Sequence, residues 1–270
     1  MLTEYYFCSP TELRLNAQYN PWMAEATTFA IDAALEQYEK LVSIFKLLAP
    51  GYVYEVPPKE KLTELCFLGD SLFAINSNAL YSRFSVAERF PETDYVIEVF
   101  TRLGFEGSRV PENVFYEGSG ETMLLGETIL VGFGVRSHSE VVRILEAKFE
   151  RPVRGIELAN PRFHHLDTAL LPLRPDLAIC YPGAMTPHGL HELQKLDCEM
   201  ICLQDDEIEP FCLNAVVIGD AVIIDAGARK MHDRLHRLGF QVYPVDTSEF
   251  IKFGASVKCL TFQHLVLNGV

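Results

Sequence analysis

The sequence is short of several features that would assign it quickly. No apolar stretch approaches the ~18 residues needed to span a bilayer. The opening Met1-Leu2-Thr3-Glu4-Tyr5-Tyr6 has neither the basic start nor the apolar run of a signal peptide. A cytoplasmic protein with no membrane partner is expected. Basic residues are in deficit: 23 Lys and Arg face 37 Asp and Glu, a formal net charge of -14. No basic run or RNA-binding aromatic motif offsets this, which argues against a nucleic-acid partner and mildly favours cationic ligands. Metal-finger spacing is missing too. The cysteines number seven, an odd count that reads as reduced thiols. Cys198 and Cys202 stand four apart without a second Cys or His pair, so neither a metal nor a cofactor is expected.

What is present is an ordinary globular composition, 49% hydrophobic and 22% charged over 270 residues, enough for a sizeable core. The chain reads as a succession of similar units. A strand at Tyr5 to Cys8 precedes a long amphipathic helix from Ala24 to Leu48, stopped by Pro50-Gly51, and a strand from Tyr52 to Val56. Paired short strands followed by a helix then recur. The pairs are Ser71–Ile75 with Ala79–Arg83, Thr122–Leu125 with Thr128–Gly132, a pair around Leu170 and Leu177–Tyr181, and Ala215–Ile218 with Val222–Ile224. Their helices run over Glu92–Leu103, Ser139–Lys148, His188–Leu196 and Arg229–Leu238. A period of about fifty residues is a repeat signal even where the units share no sequence. No linker or low-complexity tract divides them, so one closed α/β domain over 1–270 is expected.

Chemistry concentrates in three segments. Near the end, Gly254-Ala255-Ser256-Val257-Lys258-Cys259 places small residues ahead of a cysteine, as a tight backbone approach requires. Cys259 is the candidate nucleophile, although a lone cysteine more often packs as a small hydrophobe. Upstream, His164-His165-Leu166-Asp167 and Glu117-Gly118-Ser119-Gly120-Glu121 supply imidazole and carboxylates from separate parts of the chain, the usual way to assemble a nucleophile, a base and an orienting acid. Other features are weaker: Gly118-Ser119-Gly120 reads as a tight turn rather than a phosphate cradle, and His232 with His236 as a solvated helix face.

These segments resemble the guanidino-group-modifying enzymes of the pentein superfamily: dimethylarginine dimethylaminohydrolase, arginine deiminase, arginine dihydrolase and the amidinotransferases. The resemblance covers essentially the whole chain. It implies an α/β-propeller of five ββαβ-type units in pseudo-fivefold arrangement around a central active site. It also implies a cysteine-dependent hydrolase that acts on the guanidino group of arginine or a methylated arginine through an S-alkylthiouronium, giving citrulline or, after a second round, ornithine. Cys259 takes the place of the nucleophile, His165 of the general acid and base, and Glu117 of the first acid in a motif that here has one extra residue before Glu121. Asp167 shares a face with His165 and, with Glu117, is expected to hold the guanidino nitrogens. Gly69-Asp70-Ser71-Leu72-Phe73 resembles a segment whose Asp holds the substrate's α-amino group and whose Phe lines the pocket.

Arg136 and Arg89 match arginines that clamp the α-carboxylate, Arg89 being equally readable as a solvated surface residue. Asn76 and Asn20 resemble the dihydrolase pattern, and Asn76 is expected to accommodate a ureido group; Asn20 equally suits a helix cap before Pro21. The alternatives are an amidinotransferase and a non-catalytic pentein binding protein. The expected partner is a small guanidino amino acid, with a possible homo-oligomer formed through an apolar face of the first long helix.

Overall fold

The structure, a computed structural model, describes residues 2–267. Its first segment holds β1 (Leu2–Cys8), α1 (Pro21–Glu25), α2 (Ile31–Leu48) and β2 (Val53–Val56). Next come β3 (Leu72–Ile75), β4 (Asn78–Tyr81), α3 (Phe90–Arg102) and β5 (Glu106–Arg109). They are followed by α4 (Gly118–Glu121), β6 (Thr122–Leu125), β7 (Thr128–Phe133), α5 (Val141–Phe149) and β8 (Val153–Glu157). The second half repeats the pattern with β9 (Leu170–Arg174), β10 (Leu177–Cys180), α6 (Pro187–Leu193) and β11 (Glu199–Cys202). Last are β12 (Val216–Ile218), β13 (Ala221–Asp225), α7 (Arg229–Arg237), β14 (Gln241–Val245), α8 (Ser248–Ile251) and β15 (Phe262–Val266).

In four units an antiparallel pair is followed by a helix and a third strand parallel to the second: β3-β4-β5, β6-β7-β8, β9-β10-β11 and β12-β13-β14. Both ends of the chain build the fifth. There β15 lies antiparallel to β1, and β1 runs through α2 to the parallel β2. A bridge from Leu265 to Ile75 joins this unit to the next in a six-stranded sheet. The expected five ββαβ units are therefore present. The leading strands β3, β6 and β9 are mostly buried, β12 less so, while apolar helix faces pack on the sheets, Leu145 of α5 in one cluster with Ile129 and Val131 and Leu235 of α7 in one with Val222 and Ile224.

Two expectations need correction. The helix expected from Ala24 to Leu48 is two helices: the backbone is extended at Ala26 and Ala30, and α2 starts only at Ile31. Thr27 and Thr28 are poor helix formers. The Ala30 N–H is drawn off to Glu249 Oε2 at 2.9 Å. The third strands β5, β8, β11 and β14 were not expected, because they are exposed edges with little apolar alternation; all four residues of β5 are exposed.

One topological fact positions the chemistry. The segments that lead into the first strand of each unit carry Asp70 before β3, Glu117 before β6, His165 and Asp167 before β9, Asn214 before β12, and Cys259 before β15. Fivefold repetition thus delivers five polar loops to one end of the central axis.

Candidate active site

Cys259 is 1% exposed, at the meeting point of these loops. Its Sγ accepts from Asn214 Nδ2 at 3.2 Å and lies 3.7 Å from Asp167 Oδ2. Asn214 is fully buried, and its Oδ1 accepts from the backbone N–H groups of Lys258 and Cys259 at 3.0 and 3.3 Å, so one amide fixes both the loop and the sulfur. His165 Nε2 is 2.6 Å from Glu117 Oε2. The other Glu117 oxygen accepts from the Ser85 N–H and Oγ at 2.8 and 2.6 Å. On the far side of the ring, His165 Nδ1 faces Asp70 Oδ1 at 3.6 Å. Close packing enforces this arrangement. A Cβ on Gly120 would lie 2.7 Å from Asp70 Oδ1 and 2.9 Å from His165 Nδ1, and Gly254, at φ +80°, would put one 2.9 Å from His164.

Asp70 Oδ1, Asp167 Oδ1 and His165 Nδ1 are buried polar atoms without a hydrogen-bond partner among the described residues. Buried polar atoms need partners, and three grouped at one point can receive a polar group or water. Beside them Tyr19, Glu64, Phe67, Asp70, Arg136, His165 and Ala255 line a narrow cleft of about 20 Å³.

Electrostatics follow from burial. Desolvation, helped by Asp167 and Asp70, pushes the Cys259 thiol well above its ordinary range. Burial depresses the His165 imidazole, but Asp70, Glu117 and Glu121 outweigh it and hold it up at about 9. Burial raises Glu117 as well; the hydrogen bond from His165 and the charges of Arg136 and His165 prevail and keep it well below the carboxylate range. Asp167 is raised to about 7 by desolvation. Neighbouring His164 is pushed well down by burial and by His165.

The structure brings Cys259, His165, Glu117 and Asp167 together as expected; of the other expected contacts Asp70, Arg89, Arg136 and Asn20 border the cleft, while Phe73 and Asn76 do not. Glu117 spends both oxygens on His165 and Ser85, so Asp70 rather than Glu117 presents a free carboxylate oxygen beside Asp167. Phe73 is packed edge-on against Phe149 and lines a different cavity. Asn76 is exposed in the β3–β4 turn at φ +52°, the place Gly126 and Gly219 hold in sister hairpins, and its side chain accepts from the Leu267 N–H. It is a turn residue. The same acid, Phe, polar spacing occurs six positions earlier, at Glu64, Phe67 and Asp70, and these three do line the cleft.

Arg89 is neither a free clamp nor a surface residue. It is 4% exposed and bound to Asp70 at 2.8 Å and Glu92 at 2.9 Å. Arg136 reaches the cleft, donating to Ser85 Oγ at 3.1 Å. Asn20 borders it but caps α1 by accepting from Met23 N–H at 2.9 Å, while its Nδ2 donates to Phe253 O. Glu121 is fully buried and accepts from the N–H groups of Leu166 and Ser137, at 3.2 and 3.3 Å, holding the histidine loop in place. Asn214 and Glu64 escaped sequence reading. The available signals were the position of Asn214 just before a strand, like Asp70 and Cys259, and the repeated spacing around Phe67. Among the described residues no three His, Cys, Asp or Glu side chains are arranged to hold a metal ion.

No protein-family model matches the chain. It is 29% identical over 264 residues to a bifunctional arginine dihydrolase/ornithine cyclodeaminase of Nostoc sp., covering 96% of this chain and 37% of that one, so it spans little more than a third of that relative's length. It is also 29% identical over 259 residues to the N(G),N(G)-dimethylarginine dimethylaminohydrolase of Mycobacterium tuberculosis, covering 96% and 85%. Among solved structures, the N-terminal domain of a cyanobacterial arginine dihydrolase bound to substrate superposes with a TM-score of 0.93 at 25% identity, over 99% of this chain and 100% of that one. A dimethylarginine dimethylaminohydrolase adduct shares the fold at a TM-score of 0.81 and 21% identity, over 97% and 100%. The fold is the one these solved enzymes share, a propeller of five ββαβ units. In sequence the chain is similar, over nearly its whole length, to a dimethylarginine dimethylaminohydrolase and to the matching third of a bifunctional arginine dihydrolase.

Proposed function

We propose that this protein hydrolyses the guanidino group of arginine or a methylated arginine through a covalent intermediate on Cys259, and that it stops at the ureido product. The observation that carries this reading is the pair of free carboxylate oxygens, Asp70 Oδ1 and Asp167 Oδ1, around a buried thiol. A guanidinium is planar, cationic and rich in donors. It satisfies both oxygens, and its charge offsets the two carboxylates that hold the thiol protonated at rest. Cys259 therefore ionises as the substrate arrives. The thiolate adds to the guanidino carbon, and the departing amine takes a proton from His165, whose charged form Glu117 supports. The carbon is left as an S-alkylthiouronium. His165, now neutral, removes a proton from water as it adds to that carbon; the C–S bond breaks, and the ureido amino acid leaves.

Arg136 is the guanidinium available for the substrate carboxylate, and Glu64 faces the same cleft as a site for its ammonium group. The preference for a single round rests on Asp70. A ureido carbonyl has no proton to give a carboxylate, so the two free acceptors suit a guanidinium far better than the product. With Asn76 in a distant turn, the amide expected to license a second round is not at the site. The test is mass analysis of the Cys259 peptide after acid quench during turnover of arginine and of dimethylarginine. An adduct of the amidino carbon on Cys259 supports the reading; turnover with an unmodified Cys259, or turnover by Cys259→Ser, overturns it.

A further inference from the structure

The seven cysteines differ in exposure, and the differences single out one pair. Cys8, Cys66, Cys180, Cys212 and Cys259 are buried, Cys198 is partly so, and Cys202 is exposed. Cys180 ends β10, and Cys202 ends β11, the outer strand of its three-stranded sheet. The two strands are parallel, and their register sets Cys180 directly opposite Cys202. Residues paired in this way point to the same face of a sheet, and here the two sulfurs meet at 3.6 Å.

Adjacent strands lie ~4.8 Å apart, within the Cα separation of ~4.4–6.8 Å that a disulfide spans, so the sulfurs need approach by only roughly 1.5 Å to bond. The two thiols are not equivalent. Burial, with Cys202 beside it, holds the Cys180 thiol above its ordinary range, so it stays protonated and out of reach of solvent. Cys202 stands at a sheet edge, where a small oxidant can reach it. An accessible thiol with a second one in contact is the arrangement that carries a sulfenic acid on to a disulfide rather than to a higher oxide. The third thiol nearby, Cys198, is turned to a backbone acceptor: its Sγ donates to Glu199 O at 3.3 Å.

We propose that Cys202 and Cys180 form a redox-active dithiol that closes to a disulfide when Cys202 meets a peroxide. The Cys202 sulfur attacks one peroxide oxygen, the O–O bond breaks, and a sulfenic acid and water form. The Cys180 sulfur then attacks the Cys202 sulfur, the S–O bond breaks, and the departing hydroxyl leaves with the Cys180 proton as a second water. Two thiols lose two electrons in all, one peroxide gains them, and a dithiol reductant reverses the change. Neither sulfur lines the catalytic cleft, so the pair stands apart from the proposed reaction.

Peptide mass analysis of the whole chain after titration with hydrogen peroxide tests this, with remaining thiols blocked by N-ethylmaleimide during denaturation. Cleavage after Lys195 and Glu199 separates Cys180, Cys198 and Cys202 onto three peptides. The expected main product joins the Cys180 and Cys202 peptides, is lighter by two hydrogens, and disappears with dithiothreitol. Cys198→Ser should leave it unchanged, and Cys202→Ser should abolish it. In Cys180→Ala, Cys202 should halt at the sulfenic acid, raising its capture by dimedone about tenfold over the parent. An unmodified Cys202, linkage to Cys198 instead, sulfinic acid on Cys202 with Cys180 still alkylated, or equal dimedone capture in parent and Cys180→Ala would each overturn the proposal.

Discussion

At the scale of single residues, the site is a set of buried groups that hold one another in charge states they would not adopt in water. This fixes the pH dependence. Asp167, raised to about 7 by burial, must be ionised to receive a guanidinium, so the rate is lost as pH falls through that value. His165, held at about 9, must be protonated to release the amine, so the rate is lost as pH rises through that one. The kcat/KM profile is expected to be a bell with limbs near these values. Glu117→Gln removes support for the imidazolium, and its basic limb should move to lower pH; an unmoved limb would separate His165 from it. Asn214 is a positioning residue: Asn214→Ala leaves two loop N–H groups unpaired at a cost of about 1–3 kcal/mol, and the pH at which Cys259 becomes alkylatable should rise. His165→Ala is expected to lower kcat by about 10²–10⁴.

Cys259, His165 and Glu117, which the fold gathers at one point, were legible in the sequence because small residues precede Cys259 and follow Glu117 and because the His165-Leu166-Asp167 segment resembles a known motif. Two of the substrate contacts, Phe73 and Asn76, were not. Asp70, Phe73 and Asn76 repeat the spacing of Glu64, Phe67 and Asp70, and spacing alone cannot tell a strand that leaves the cleft from the loop that forms it.

Among elements, the leading strands and the helices were readable from apolar runs and helical spacing. The outer strands were not, since an exposed edge such as Glu106–Arg109 carries no buried stripe. The break between α1 and α2 was hidden for another reason: the groups that stabilise it, Glu249 on Ala30 and Asn20 on Met23, lie in the tertiary structure or double as a cap. The segment around α1 also forms the cover of the site. Trp22 Nε1 donates to Arg162 O at 3.1 Å, its ring lies 4.4 Å from the Arg162 guanidinium, and Arg136 reaches toward the Tyr19 carbonyl. A cleft of about 20 Å³ is smaller than an amino acid, so substrate binding there is expected to move this cover. Trp22 is the sole tryptophan. Its emission is expected to change saturably when Cys259→Ser binds arginine; constant emission despite calorimetric binding would show that entry occurs elsewhere.

For the molecule as a whole, the two ends of the chain complete one unit, and Cys259, the proposed nucleophile, stands just ahead of its closing strand. Five residue pairs join β1 to β15, and β15 in turn touches β3. Removal of the chain from Phe262 onward should therefore abolish the cooperative thermal transition rather than trim it, as followed by circular dichroism. No helix among the described residues is long and apolar enough to cross a membrane. The central claim is that this architecture presents two carboxylates and a thiol to a guanidinium and releases a ureido product. Endpoint product analysis by mass spectrometry, with arginine, dimethylarginine and citrulline offered separately to the parent protein and to Cys259→Ser, tests it most directly. The account predicts citrulline from a guanidino substrate, no consumption of citrulline, and no turnover by the variant. Ornithine and ammonia as end products would contradict it, and would assign to Asp70 the second round that its charge is argued here to prevent.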